Sequence, residues 1–299
     1  MNAQNAARAA IEDTDADAVT QDVAQRSASG TVLSAAGWLD DHFEACRDEY
    51  TEMLRAAGLR SGWHVLDVGC GTGSYLPLIR DEVGASGRVL ATDRDPENVA
   101  IARQQHPLSE PLVGSALALP VRTAGVDAVW CANVTQYFSD EDLPLLLGEL
   151  ARVVRPGGLV AVKDVDMSAL RIAPGGPFLG AHLAEACVTS TPVAVESGGS
   201  LRGRELGLWL ERAGLEGVRQ QTFAIEYRAP LSAPAARLWA SWLPYLARLA
   251  EEKGVPDVDL ATWRRVSTPE RAAAFVAAPE FYACELQVLA IGRMPESAP

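Results

Sequence analysis

The chain has 299 residues, of which 48% are hydrophobic, so it is long enough to bury a sizeable core in one large domain or two small ones. Its formal net charge of −13 disfavours nucleic acids and anionic membranes as partners, and no run of eighteen apolar residues predicts a membrane span. The five cysteines are scattered without a C-x-x-C pair, and the N-terminus lacks the basic start and apolar block of a signal peptide. We therefore expect a cytoplasmic protein with reduced thiols, no disulfide framework and no metal site.

The N-terminal region divides into a polar tail and a helical segment. Residues 1–30 are rich in Ala, Asp and Gln, which predicts a flexible tail, and residues 31–299 are expected to form the folded domain. Apolar residues recur at helical spacing over 36–59, so one or two amphipathic helices should precede the sheet.

Strand and helix signals alternate from Trp63 onward, which is typical of a parallel sheet covered by helices on both faces. The first five strands are predicted over 64–68, 88–92, 110–114, 128–132 and 159–163. Helices are predicted between them over 75–83, 96–105 and 140–154.

The pattern becomes less regular after Val165. Helices are predicted over 178–188 and 204–213, a sixth strand over 218–227 and a seventh over 282–292. The roughly fifty residues between these two strands are too apolar for a linker, so they are expected to form a small helical cap. The fold class is therefore α/β, with a seven-stranded, mostly parallel sheet.

The stretch 65–73, VLDVGCGTG, is the most informative motif in the chain. A short β-branched run ends in three alternating glycines, and a helical pattern follows, which predicts a ligand-binding corner between a strand and a helix. Dinucleotide sites use G-x-G-x-x-G, whereas this loop is G-x-G-x-G. Asp67 would repel a pyrophosphate but suits a cationic ligand.

This motif resembles the first motif of the class I S-adenosylmethionine-dependent methyltransferases, and the resemblance extends over 63–164. It is strongest to the small-molecule branch that includes quinone-biosynthesis and natural-product enzymes. The resemblance implies a Rossmann-like fold and S-adenosylmethionine as cofactor, with S-adenosylhomocysteine as product. It also implies methyl transfer to a small, largely apolar or aromatic acceptor in specialised metabolism, with insertions at about 166–201 and 229–278 building the acceptor pocket.

The resemblance assigns residues to the cofactor as well. Asp93 would accept the ribose hydroxyls and Arg94 would line the adenine. Ser115 stands where the family usually has the aspartate that meets the adenine amino group, and the Ala116 amide is an alternative donor site. The remaining predicted cofactor residues are Asp67, Gly69, Cys70, Gly71, Gly73, Asn133 and Gln136. The last two can equally be polar loop residues.

A general base is needed only if the acceptor is a hydroxyl, because a carbon or nitrogen acceptor can react without one. The candidates, in order, are Asp166, Asp164, Tyr137 and His182. His182 can also be a helix histidine with a satisfied partner, and one of the two aspartates is expected to be solvated.

Three other functions remain open from the sequence. An enzyme of the same fold can use S-adenosylmethionine for cyclisation or another non-methyl transfer. A cofactor-binding protein without turnover is also compatible with Ser115, and a nicotinamide-linked reductase is disfavoured by the glycine spacing. The expected partner is a small-molecule acceptor, with no nucleic acid and no membrane, and the protein should be a monomer or a homodimer.

Overall fold

The computed structural model describes residues 36–190 and 199–296, which form a single seven-stranded sheet with helices on both faces. The strands are β1 (His64–Val68), β2 (Arg88–Asp93), β3 (Glu110–Val113), β4 (Val126–Ala132), β5 (Val154–Ala173), β6 (Glu216–Arg228) and β7 (Tyr282–Arg293). The helices are α1 (Ala36–Ala45), α2 (Arg47–Ala57), α3 (Leu76–Val83), α4 (Pro96–Gln105), α5 (Leu143–Val153), α6 (Leu179–Ser190), α7 (Leu206–Arg212), α8 (Ala233–Lys253), α9 (Asp257–Arg265) and α10 (Pro269–Val276). The predicted flexible tail, 1–30, lies outside the described residues.

The strand order is β3-β2-β1-β4-β5-β7-β6. Strands β1 to β5 pair in parallel, and β7 runs antiparallel to both β5 and β6. This arrangement confirms the predicted fold class. The chain leaves β1 toward β2 and β3 and returns to the other side of β1 as β4, so β1 and β4 form the switch point where ligands of open α/β sheets bind.

Alternation along the strands divides the core into two faces. On β1, Val65 packs toward α1, α2, α3 and α8, and Leu66 packs toward α5 and α7. We call these the cap face and the rear face of the sheet. Since successive strand residues point to opposite sides, Asp67 shares the cap face with Val65.

Strand β5 is much longer than the sequence predicts, and this corrects the expected irregular segment after Val165. The strand pairs with β7 from Leu159 opposite Arg293 to Asp166 opposite Leu286, and after a register shift it pairs again from Arg171. Residues 166–173, predicted to begin an insertion, are therefore part of the sheet. The antiparallel partner residues lie 109 to 134 positions further along the chain, so no local pattern reveals the extension.

The predicted helical cap before the last strand consists of α8, α9 and α10. Helix α8 begins after Ser232, whose hydroxyl accepts a hydrogen bond from the Ala235 amide, and it ends at Gly254, whose φ of 80° is left-handed. It contacts α1, α6 and α10. Among the helices of the described residues, none is both long and apolar enough to cross a membrane.

Candidate active site

The glycine loop after β1 is tied to the end of β2 by backbone hydrogen bonds. The amides of Gly69 and Cys70 donate to the Thr92 carbonyl at 2.8 and 3.0 Å. Gly69 has a φ of 73°, and a Cβ built there would lie 2.4 Å from Cγ2 of Val134, so a larger residue does not fit. Because these two amides are already used, the loop does not offer them to a pyrophosphate, which disfavours a dinucleotide.

Asp93 is tied to this loop from the end of β2. Its Oδ2 accepts the Gly71 amide at 2.8 Å and its Oδ1 accepts the Asp95 amide at 2.9 Å. Burial raises the pKa of the Asp93 carboxyl, and the two amide hydrogen bonds oppose that shift. Each carboxylate oxygen has a second acceptor site. The residue lines the cavity described below, so it can accept two hydroxyl groups of a ligand.

Asp67 lies beneath the loop and is 2% exposed. Its Oδ2 has no hydrogen-bond partner among the described residues, and its pKa is raised to about 8 by burial and secondarily by Asp93. A positive charge nearby would favour the ionised carboxylate. Neither Asp67 nor the predicted loop residue Gly73 lines the cavity.

The other predicted cofactor residues come together around one cavity of about 580 Å³ at the switch point. Its wall includes the following nine of them: Gly69, Cys70, Gly71, Asp93, Arg94, Ser115, Ala116, Asn133 and Gln136. The Ser115 hydroxyl accepts the Leu117 amide at 3.2 Å, which fixes the turn after β3.

The loop after β4 is held by a buried amine. Asn133 adopts a φ of 59°, and its Oδ1 accepts a hydrogen bond from Nζ of Lys163 at 2.7 Å. The side chain of Gln136 in turn donates to the Asn133 carbonyl at 3.3 Å. These bonds fix the wall of the cavity between the glycine loop and β5.

The far wall of the cavity is apolar and comes from later parts of the chain. Its aliphatic, aromatic and sulfur-containing side chains include Val165, Met167, Leu170, Leu183, Leu201, Trp242, Tyr245, Leu246 and Leu249. Strand β5, α6 and α8 supply most of them. A ligand that fills this part of the cavity therefore meets a mainly apolar surface.

Two of the four predicted bases lie on the rear face of the sheet. Alternation along β5 puts Lys163, Val165 and Met167 on the cap face and turns Asp164 and Asp166 away from it. Asp164 is fully buried and accepts hydrogen bonds from the Thr135 hydroxyl and from the amides of Gln136 and Val165. Neither aspartate lines the cavity.

Asp166 accepts bonds at 3.0 and 2.6 Å from the amide and hydroxyl of Ser168, and it is 6% exposed. The expectation that one of the two aspartates is solvated is therefore wrong. Nδ1 of His182 lies 2.6 Å from Oδ2 of Asp259, and His182 does not line the cavity. This agrees with the alternative interpretation, in which His182 is a helix histidine with a satisfied partner. Tyr137 does line the cavity, and burial raises the pKa of its hydroxyl.

The sequence analysis missed a buried polar network at the cap-face wall. It consists of His42, Cys46, Tyr50, Lys163, Tyr227, Glu285 and Gln287. His42, Tyr50, Glu285 and Gln287 line the cavity. Members come from α1, the α1–α2 junction, α2, β5, β6 and β7, so no local spacing links them. The one sequence signal for this network is the presence of Glu285 and Gln287 within the otherwise apolar run of β7.

Lys163 connects this network to the loop after β4. Besides its bond to Asn133, its Nζ lies 3.8 Å from the ring centre of Tyr50, a distance suited to a cation–π interaction. The Tyr50 hydroxyl lies 3.0 Å from Nε2 of His42. Burial lowers the pKa of Lys163 to about 8, and burial together with Lys163 lowers the pKa of His42 to about 3, so the imidazole is neutral at pH 7.

Glu285 forms the other end of the network. Its Oε1 accepts the Tyr227 hydroxyl at 3.0 Å, and Nε2 of His42 lies 3.9 Å away. Ligand-type atoms of His42, Cys46 and Glu285 lie within 4.8 Å of one another. A divalent cation is disfavoured there, because the Lys163 ammonium is adjacent and burial keeps the pKa of the Cys46 thiol well above its usual range.

The donors and acceptors at the loop end fit an S-adenosyl ligand. Asp93 offers two carboxylate oxygens as acceptors, and Asp67 has a buried carboxylate oxygen without a partner among the described residues. The amides of Gly69 and Cys70 already donate to a backbone carbonyl, so they are not available to bind an anion. A ribose diol and a sulfonium or ammonium group match this set.

Comparison with known proteins gives a consistent result. A family model described as a methyltransferase domain matches residues 65–158. A malonyl-[acyl-carrier protein] O-methyltransferase from Pectobacterium atrosepticum is 37% identical over 124 residues, which is 39% of this chain and 47% of the relative. The enzyme of the same name from Erwinia pyrifoliae is 30% identical over 187 residues, 62% of this chain and 69% of the relative.

Among solved structures, a protein from Bacillus halodurans C-125 superposes on this chain with a TM-score of 0.53 at 17% sequence identity. The superposition covers 83% of this chain and 99% of the Bacillus protein, so the two share a fold. The chain spans about half the length of the first curated relatives that it matches. The family match ends within β5, ahead of the apolar wall. From the motif, the fold and the relatives together, the chain belongs to the class I S-adenosylmethionine-dependent methyltransferases.

Proposed function

We propose that this protein transfers the methyl group of S-adenosylmethionine to a small, largely apolar or aromatic acceptor of specialised metabolism. The observation that carries the proposal is one continuous cavity, which joins the glycine loop and Asp93 to an apolar wall built by β5, α6 and α8. When bound, S-adenosylmethionine supplies a methyl group already activated by its sulfonium. The task of the chain is then to orient two ligands and to exclude water.

The loop end of the cavity supports cofactor binding. In this proposal Asp93 accepts the two ribose hydroxyls with a carboxylate already held by two amides, so little reorganisation is needed. Asp67 supplies negative potential beneath the positively charged part of the ligand. Arg94, Ser115 and Ala116 border the adenine, and Asn133 and Gln136 close the side toward β5.

The apolar end supports the choice of acceptor. Aromatic and aliphatic side chains such as Trp242, Tyr245 and Leu246 favour a ligand with a large apolar surface. A dry cavity also favours methyl transfer, since water would compete with the acceptor and would weaken the positioning of the reacting atoms. The names of the relatives add an acyl group on a carrier protein as an alternative acceptor.

Titration calorimetry with S-adenosylmethionine, S-adenosylhomocysteine and NADH tests the cofactor. Micromolar binding of the two adenosyl ligands without binding of NADH is expected. Binding of NADH alone, or of none of the three, contradicts the proposal.

Turnover is tested by following S-adenosylhomocysteine in the presence of aromatic acceptors and of a malonyl thioester. Product formed only with the aromatic acceptors supports a small apolar substrate, and product formed only with the thioester supports the carrier-bound alternative. Methylthioadenosine in place of S-adenosylhomocysteine would instead show a non-methyl transfer.

A further inference from the structure

Glu285 and Gln287 face the cavity from the same side of β7. They are two residues apart on one strand, and both line the cavity although they are only 2% and 1% exposed. Oε1 of Gln287 has no hydrogen-bond partner among the described residues. A buried amide oxygen without a donor costs free energy, so this position favours a ligand that brings a hydrogen-bond donor.

The carboxylate of Glu285 is oriented before any ligand arrives. The Tyr227 hydroxyl on β6 donates to its Oε1 at 3.0 Å, and the Cys46 thiol lies 3.8 Å from the same oxygen. The other titratable groups that face it are His42 on α1, Tyr50 on α2 and Lys163 on β5. Burial raises the pKa of Glu285, whereas Lys163 lowers it.

The charges of this wall favour a neutral ligand group. Lys163 is the cation that faces Glu285 among the described residues, and the two charges balance one another. No net negative charge is left to attract an ammonium group, so a protonated amine gains little here. A hydroxyl group has a single proton, which the two acceptors can share in a three-centre hydrogen bond, and it adds no charge.

We propose that Glu285 is the general base of this site, and that the acceptor is a phenol or enol whose hydroxyl is held by Glu285 and Gln287. This inference rests on the proposed function, which it narrows to O-methylation. As the acceptor oxygen forms its new bond to the methyl carbon, the C–S bond of the methyl donor breaks and its electron pair stays on sulfur. The acceptor's O–H bond breaks in the same reaction, and the proton goes to the Glu285 carboxylate.

Acceptors of different acidity distinguish a base from a structural residue. For 2-naphthol, Glu285→Gln should lower turnover by about 10²- to 10⁴-fold, the usual contribution of a general base. For 4-nitrophenol at pH 8, where most of this phenol is already ionised, the loss should be much smaller. S-adenosylmethionine affinity should stay within a factor of two or so of wild type. Glu226→Gln, a matched change at an exposed position on β6, should leave both rates unchanged.

Equal loss of activity with both acceptors would overturn the assignment of Glu285 as base, as would faster methylation of 2-naphthylamine than of 2-naphthol. These outcomes differ from failure of the proposed function, which would appear as absent binding of S-adenosylmethionine.

Binding to the wild-type protein provides a test that does not depend on turnover or on folding of the Glu285 variant. Wild-type protein saturated with S-adenosylhomocysteine should bind 2-naphthol at least tenfold more tightly than naphthalene. Gln287→Leu should reduce that preference. Normal binding of S-adenosylhomocysteine with no preference for the naphthol would overturn the inference while leaving the proposed function intact.

Discussion

Lys163 and Asp164 are neighbours in the chain but lie on opposite faces of β5. The Lys163 ammonium bonds to Asn133 and lies over the ring of Tyr50 on the cap face. The Asp164 carboxylate is enclosed on the rear face, where it accepts two amides and the Thr135 hydroxyl. Lys163 therefore supports the cavity wall, whereas Asp164 fixes the turn after β4 from the rear face of the sheet.

Asp164→Asn tests this division. An amide nitrogen placed against three hydrogen-bond donors leaves at least one of them unsatisfied, so the variant should lose about 1–3 kcal/mol of stability. Its turnover number should fall less than threefold or so, since the residue does not line the cavity. Chemical denaturation and initial-rate measurements provide the two values. A large loss of turnover in a variant of wild-type stability would restore Asp164 as a base.

Asp93→Ala should weaken S-adenosylmethionine binding by at least tenfold, or about 1.4 kcal/mol, because a charged acceptor for two hydroxyls is removed. Calorimetry gives the affinity, and the exposed Asp81→Ala is the matched control, for which no change is expected. Unchanged affinity in Asp93→Ala would show that the ribose binds elsewhere.

Asp67 makes stability depend on pH. Its folded pKa of about 8 lies above the unfolded value of 3.8, so between these values the folded state holds a proton that the unfolded state has released. The stability that folding gains from this bound proton is fully present below pH 4 and is lost as the pH rises to 8. Asp67→Asn should therefore unfold at a higher temperature than wild type at pH 8, and the difference should vanish near pH 4.

Ligand binding provides a second readout for Asp67. A cationic ligand favours the carboxylate, so wild type should release protons when it binds S-adenosylmethionine at pH 7, and Asp67→Asn should release fewer. Calorimetry in buffers of different ionisation enthalpy measures this number. Equal proton release by the two proteins would remove Asp67 from the cofactor site.

Gly69→Ala should be strongly destabilising. The left-handed φ costs a non-glycine residue about 1–2 kcal/mol, and the contact with Val134 adds about 1–3 kcal/mol of overpacking. Gly214 has a similar φ of 83° but open space around its Cβ position, so Gly214→Ala should show the first cost alone. Equal unfolding free energies for the two variants would show that the loop relaxes around the new methyl group.

Trp239 and Trp242 lie three residues apart on α8 but have different surroundings. Trp239 is fully buried between Tyr227 and Phe281, so Trp239→Ala should cost about 3–5 kcal/mol of stability. Trp242 lines the cavity, so Trp242→Ala should raise the KM for the acceptor and leave S-adenosylmethionine affinity unchanged. A fall in cofactor affinity in Trp242→Ala would place this part of the wall in the cofactor site.

The glycine-loop end of the cavity could be predicted from the sequence because its central parts are local. A strand, a glycine loop and the following helix fix each other's geometry through bonds between near neighbours, and Asp93 follows at the end of the next strand. The same reasoning predicted β1 and α4 with their bounds, since their periodicity and punctuation lie within a few residues.

The polar groups beside the apolar wall were decided by tertiary structure. Glu285 meets His42 and Lys163 because β7 runs antiparallel to β5, with Lys163 opposite Leu289, and because α1 packs on that face. A shift of one residue in this register would turn Glu285 to the rear face and bring its neighbours to the cavity. Residue types and spacing therefore determined that an S-adenosyl ligand fits this chain. The register of one long-range strand pair decided which polar groups lie beside the apolar wall of the cavity.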